Sequence, residues 1–266
     1  SPSRGLGDVY KRQPPGYGKG MKVKVLAAIA CVVALAFGAD AAVAAHVERA
    51  LAAHAREADA LPADPETYVG GLPFAQVALT GRVPRVSFQA LDVHVDGVGI
   101  ANTRTDIYGI DIDVDKAVRA EFAGAHAKRV EHTLSLDGVA FGQLLGMTDL
   151  DIANPYDISP TGGTASEAQL TGTVPGTDEK TSAVVTLRLD GTTFRMEPEQ
   201  LIDVPSALAP AVTDAYTLEL DTRDLPIGAQ ADLVEVAGGS IRFSSQQHDV
   251  TVTDELLSPV AVPAGR

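Results

Sequence analysis

The sequence predicts an α+β protein, mostly β, with antiparallel strands following an N-terminal amphipathic helix, and three observations carry that prediction. After about residue 82, apolar and polar residues alternate with a period of two over much of the chain, the spacing of strands with one buried face. An Asp-Gly pair sits between alternating runs in VHVDGVGI, LSLDGVAF and LRLDGTTF, and VEVAGGSIRF is a more distant echo. Turn residues that tolerate positive φ between such runs are the strongest short hairpin signal. Ahead of them, residues 41–60 space Val43, Val47 and Leu51 by four and keep Glu48, Arg49, Arg56 and Glu57 off that stripe, which is helical periodicity.

The chain starts with SPSRGLGDVYKRQPPGYGKG, residues 1–20, which share neither composition nor patterning with the rest. They read as a non-native or read-through leader and are set aside. Lys22 and Lys24 then precede the uncharged run VLAAIACVVALAFGA, the form of a secretory signal. At ~1.5 Å per residue this run reaches about 22 Å, short of a ~30 Å hydrocarbon core. That length suits a signal peptide cleaved near Gly38 or Ala41, whereas continuation to Ala45 gives an uncleaved signal anchor. Either form puts the body outside the cytoplasm, because the lysines lie on the amino side. Residues 21–41 are therefore signal peptide or anchor, 42–254 a single domain without a Pro/Gly/Ser-rich linker, and 255–266 a C-terminal tail.

Pro62 and Pro65 end the first helix, since proline cannot continue one. A short helix follows in PFAQVALT, with Pro73 at the first position, Phe74, Val77 and Ala78 on one face, and Gly81 as its stop. Val86, Phe88 and Ala90 then alternate with polar residues, but Leu91, Val93 and Val95 do so out of phase. A β-bulge near Ala90 and Leu91 restores the facing and bends the sheet. Further strands are expected over residues 105–115, 167–174, 216–221, 232–236 and 248–253, with short helices at FGQLLGM and PEQLI.

The formal charge is −14, and without residues 1–20 it is 17 basic against 34 acidic groups. That balance repels phosphate backbones, which excludes nucleic acid as a partner, and it opposes broad adhesion to anionic bilayers. Cys31, the only cysteine, lies in the apolar run, so the exported body has no disulfide and no thiolate chemistry. Ala28 stands where a lipoprotein signal carries leucine, against lipidation. DIYGIDIDVD reads as a strand with Asp111, Asp113 and Asp115 on its solvated face, because Lys116 occupies the position where a calcium loop needs glycine. His126 and His132 do not have zincin spacing, and no metal site is assigned. There is no nucleophile elbow, phosphate loop or dinucleotide fingerprint, so no catalytic residue or cofactor is assigned either. Arg82 and Arg85 follow the short helix and suit either its C-terminal end or a phosphate group.

The order of segments resembles the LmeA-like family of phospholipid-binding cell-envelope proteins across residues 40–253. GGLPFAQVALTGRVPRVSFQALDVHVDGV, with its Gly-x-Pro-Phe start and Gly-Arg, and LPIGAQADLVEVAGGSIRF carry most of the likeness. The resemblance implies a strongly curved antiparallel sheet wrapped on the helix, akin to tubular lipid-binding domains, with an apolar groove for acyl chains. It makes 42–254 a lipid-binding domain without catalysis, serving lipid transfer or envelope lipid and lipoglycan maintenance. On that fold the groove-lining candidates are Phe74, Val77, Val86, Phe88, Val93, Ile110, Ile112, Leu134, Leu136, Phe141, Leu144 and Leu145, and the headgroup candidates are Arg82 and Arg85. The alternative is a structural or interaction protein of the envelope with a filled core. Export is tested by fusing residues 21–60 to a reporter active only outside the cytoplasm; activity is expected, and a silent cytoplasmic reporter refutes the assignment.

Overall fold

A computed structural model describes residues 19–71, 73–95, 97–155, 166–177 and 179–264. Most of the leader, Leu72 of the Gly-Gly-Leu-Pro-Phe segment and Asp96 of the first Asp-Gly pair lie outside the described residues. Helix α1 (Lys19–Ala58) runs unbroken for 40 residues, so the apolar run and the amphipathic helix are one element. Its first part exposes Leu26, Ile29, Val33, Leu35 and Phe37, whereas Val47, Leu51 and Ala55 are buried. By length and composition alone, residues Val23–Ala58 can cross a membrane.

The chain continues through β1 (Glu66–Val69), a 3-10 turn (Phe74–Gln76), α2 (Val77–Thr80), β2 (Arg82–Val95), β3 (Gly99–Asp111), α3 (Val114–Val118), β4 (His126–Asp137) and α4 (Gly138–Leu144). It next builds β5 (Asp151–Ala153), β6 (Glu167–Thr173), β7 (Lys180–Asp190), β8 (Thr193–Ile202), α5 (Ala209–Ala215) and β9 (Leu218–Asp221), then closes with β10 (Leu233–Ala237) and β11 (Ser240–Thr251). Two antiparallel sheets result: a long one ordered β1-β2-β3-β4-β11-β10 and a second ordered β5-β6-β7-β8-β9. Neither is strongly curled, so the expected strong curvature is corrected. The inner face of the long sheet is covered by packing against other elements instead.

One apolar cluster joins α1 through Val47, Leu51 and Ala55 to Phe74, Val86, Phe88, Ile107, Ile110 and Val130. A larger one joins Leu134, Leu136, Ile241 and Phe243 of the long sheet to Leu170, Val185, Phe194 and Met196 of the second. There the Phe194 and Phe243 rings meet edge to face, with centroids 5.0 Å apart. Polar contacts fix α1 as well. Asp40 accepts the N–H groups of Phe74 and Ala75, both at 2.7 Å, and Glu48 accepts that of Val69 at 3.0 Å.

The expected short helix ends at Gly81, whose φ of 62° is the left-handed conformation of a glycine C-cap, while Pro73 is its N-cap rather than its first residue. The expected bulge lies where the β2–β3 register shifts between Ala90 and Val93. Phe88, Ala90, Val93 and Val95 therefore all face inward, and Leu91, expected on that face, is 61% exposed. Gly191-Thr192, after Asp190, joins β7 to β8 and Gly238-Gly239 joins β10 to β11, both as hairpins.

Four local expectations are corrected. Asp137-Gly138 makes no hairpin: Asp137 caps α4 by accepting the Ala140 N–H at 2.8 Å, a competing use of Asp at a helix start. The strand expected over residues 105–115 stops at Asp111, and Asp113 is the N-cap residue of α3 with Asp115 in its first turn, so the three aspartates do not share a strand face. The strand expected to begin at Tyr216 starts at Leu218, since Tyr216 terminates α5. PEQLI is strand, the end of β8. Beyond Met196 that strand no longer pairs with β9 and its register with β7 shifts beside Pro198, so the missing proline N–H costs no ladder bond.

Gly138 is fixed by packing, because a Cβ there would run into the Leu150 carbonyl. Gly138→Ala should cost about 1–3 kcal/mol as overpacking, and Asp137→Ala about 1 kcal/mol as a lost cap. Both are read as shifts of the denaturant midpoint; unchanged midpoints would contradict the strand-to-helix junction.

Candidate functional site

The twelve apolar candidates separate into groups. Phe74, Val77, Val86, Phe88, Ile110 and Ile112 belong to the cluster under α1. Leu134, Leu136 and Phe141 belong to the cluster between the sheets, with Leu144 and Leu145 packed against it. Val93 joins Leu61, Ala90 and Val260 in a small third group. Within each cluster these side chains touch one another.

Both headgroup candidates are ion-paired. Arg82 Nε lies 2.6 Å from Asp111 in a half-exposed pair, which solvent screens. Arg85 Nη2 lies 2.6 Å from Asp106, which Arg104 Nε also reaches at 2.8 Å. Burial pushes the Asp106 carboxyl up, but hydrogen bonds from Arg104, Ser87 and Arg85 outweigh it and hold the group below its ordinary range. The Arg129 guanidinium stacks 4.3 Å above the Tyr108 ring, with Arg85 at 5.4 Å. These contacts tie β2, β3 and β4 together on the outer face. Among the described residues, no three His, Cys, Asp or Glu side chains converge as a metal site would require.

The candidate site with a wall of mixed chemistry is a cleft of about 430 Å³ between the end of β11 and the C-terminal segment. Val250, Leu256, Ala261, Val262 and Pro263 supply apolar wall, and His132, Gly228, Gln247, Thr251 and Thr253 supply polar or backbone groups. The segment after β11 folds back onto the end of α1, where Ser258 Oγ donates to Asp59 and the Val260 N–H reaches the same carboxylate at 3.3 Å. Residues 255–264 therefore form part of the cleft wall rather than projecting from the body.

His132 stands at the floor, 1% exposed. Its Nδ1 is 2.9 Å from Thr105 Oγ1, while Nε2 has no hydrogen-bond partner among the described residues. Gly228 covers Nε2 so closely that a Cβ there would stand 3.2 Å away. The covering loop is held by Ser245 Oγ donating to the Ile227 carbonyl and by Gln247 Nε2 donating to that of Gly228 at 3.3 Å. Sequence reasoning weighed His132 only as a metal ligand, set that aside and assigned it no role. The signal for its position was parity, since it shares the inward face of β4 with the buried Val130, Leu134 and Leu136.

Leaving Nε2 buried and unpaired costs on the order of 1–3 kcal/mol. Burial alone pushes the His132 pKa down to about 4 from 6.5. The folded value lies below the unfolded one, so between pH 6.5 and 4 the unfolded chain binds more protons and stability decreases as the pH is lowered. The expected loss reaches about 3 kcal/mol at pH 4. Denaturant titrations across that window should show the loss in wild type and a flatter profile in His132→Leu; equal slopes would refute the buried neutral imidazole.

A search of curated proteins and a search of solved structures each found no match. The family model described as LmeA-like phospholipid-binding matches residues 36–246, from the end of the apolar run through most of β11. Because that match covers most of the chain and both sheets, the chain belongs to the LmeA-like phospholipid-binding family.

Proposed function

We propose that the protein is an exported, non-catalytic phospholipid-binding protein of the cell envelope that takes acyl chains into the cleft beside the C-terminal segment. The observation that carries this reading is the make-up of the cleft, with apolar walls, a few convergent polar groups including the Glu255 carboxylate, and no lysine or arginine among the described residues of its lining. Such a site recognises a chain by burial, at ~0.8 kcal/mol per methylene. Family membership supports phospholipid as the ligand class. Deeper insertion, toward Phe88 and Ile110 or toward Leu134 and Phe141, proceeds by parting side chains that now touch. Arg82 and Arg85 serve an anionic headgroup by exchanging Asp111 and Asp106 for it.

The same reading keeps α1 as a tether to the outer face of the cytoplasmic membrane. Asp40 holds the N–H groups of Phe74 and Ala75, so cleavage at Ala41 would remove a contact that seats the helix. Its exposed start offers Leu26, Ile29, Leu35 and Phe37 to an apolar phase. The role we assign is transfer of lipid or upkeep of envelope lipid and lipoglycan.

A second reading has its own observation: both clusters are filled, with Phe88, Phe141, Phe194 and Phe243 fully buried. It makes the protein an interaction module of the envelope. Native mass spectrometry of the full chain, followed by organic extraction, separates the two. Co-purifying phospholipid is expected. Protein that carries none and takes up none from phosphatidylglycerol vesicles favours the second reading. The intact mass is expected to include residues preceding Asp40; a chain starting after it refutes the tether.

A further inference from the structure

A histidine on the inner face of a sheet, with one nitrogen satisfied and the other not, is a polar group left over by the fold. The inward row that carries it runs Phe88, Thr105, His132, Ser245 across four paired strands. Ser245 is used to hold the covering loop and Thr105 to hold His132 Nδ1. Only Nε2 of His132 remains without a partner there. It faces Gly228, and both residues line the cleft. Gly228 adopts a φ of +71°, a conformation that costs glycine little, and a Cβ there would stand 3.1–3.2 Å from the His132 ring, so the backbone covers the imidazole closely.

The charge of the lining narrows the ligand group. Among the described residues of the lining, Glu255 is the only carboxylate and there is no lysine or arginine, so none of them neutralises a phosphate. With its pKa held at about 4 by burial, the imidazole is neutral near pH 7 and adds no positive charge. What fits is a neutral acceptor carried between apolar segments.

We propose that His132, with the Thr105 hydroxyl donating to Nδ1 so that the proton sits on Nε2, donates from Nε2 to the ester carbonyl of a lipid acyl chain lying in the cleft. The loop bearing Gly228 lifts to admit it, releasing the Gln247 bond, the longer of the two that hold it. Thr105 is then a positioning residue that fixes the tautomer. This assignment rests on the reading of the cleft as the acyl site and goes beyond it by naming the recognised group.

The test uses the full chain and two probes with the same headgroup and chains, dioleoyl phosphatidylglycerol and its diether counterpart, which lacks the ester carbonyls. Each competes against a fluorescent phospholipid. A single neutral hydrogen bond predicts that wild type prefers the diester by about 3- to 10-fold. His132→Leu, its folding verified by its melting transition, should lose the preference, so that diester and diether compete equally. Thr105→Val leaves the ring in place without its tautomer partner and should reduce the preference, which keeps the test available if the leucine variant does not fold. Equal binding of diester and diether by wild type, or a preference that survives both substitutions, overturns the assignment while leaving the cleft as an acyl site. Binding of neither probe overturns the cleft reading together with it.

Discussion

The long sheet has strands too long for one cover, and the rest of the architecture follows from that. β2, β3, β4 and β11 contain 14, 13, 12 and 12 residues, so they extend roughly 40 Å. Their inner face is apolar along nearly this whole length and has to be kept from water. Helix α1 covers one end and the second sheet covers the other, which divides the interior into two clusters. The row Thr105, His132, Ser245 lies between them.

A seam between two covers is closed by loop and by chain terminus, and neither brings a regular ladder with it. Loop carbonyls that come to lie over the seam still need donors, and this places Ser245 and Gln247 opposite Ile227 and Gly228. His132 with its unpartnered Nε2 and the cleft under the C-terminal segment are therefore products of the same division. A continuous apolar cover would leave neither. The polar outer face is under a different constraint, where Asp106 shared between Arg85 and Arg104 ties neighbouring strands together.

Helix α1 links this interior to whatever lies at its apolar start. Its second half is part of the core through Val47, Leu51 and Ala55, and Asp40 and Glu48 bond it to backbone donors at two levels. With 17 basic against 34 acidic groups after residue 20, the chain gains little from the charge of an anionic bilayer. On the proposed reading, approach to a lipid surface depends on apolar contact, for which the first half of α1 exposes Leu26, Ile29, Leu35 and Phe37.

Much of the fold was legible because local periodicity reflects burial. The helix stripe at Val47 and Leu51, the phase shift at Ala90 and Leu91, and the Gly-Gly turn before β11 each have one stable local solution. Where a short motif has two uses, tertiary context chose. Asp137-Gly138 became a helix cap because Leu150 packs against the glycine, and PEQLI became strand because an unpaired edge tolerated Pro198. The short β1 and β5 and the turns of α3 and α5 carry too few residues to show a period. The sequence by itself determined the mostly β class, the export-like start and the inward parity of the apolar residues, since each depends only on near neighbours. Only the tertiary structure decided that these residues fall into three packed groups, and that His132 ends at a seam. Those outcomes depend on which distant segments cover the sheet, and no local pattern encodes that choice.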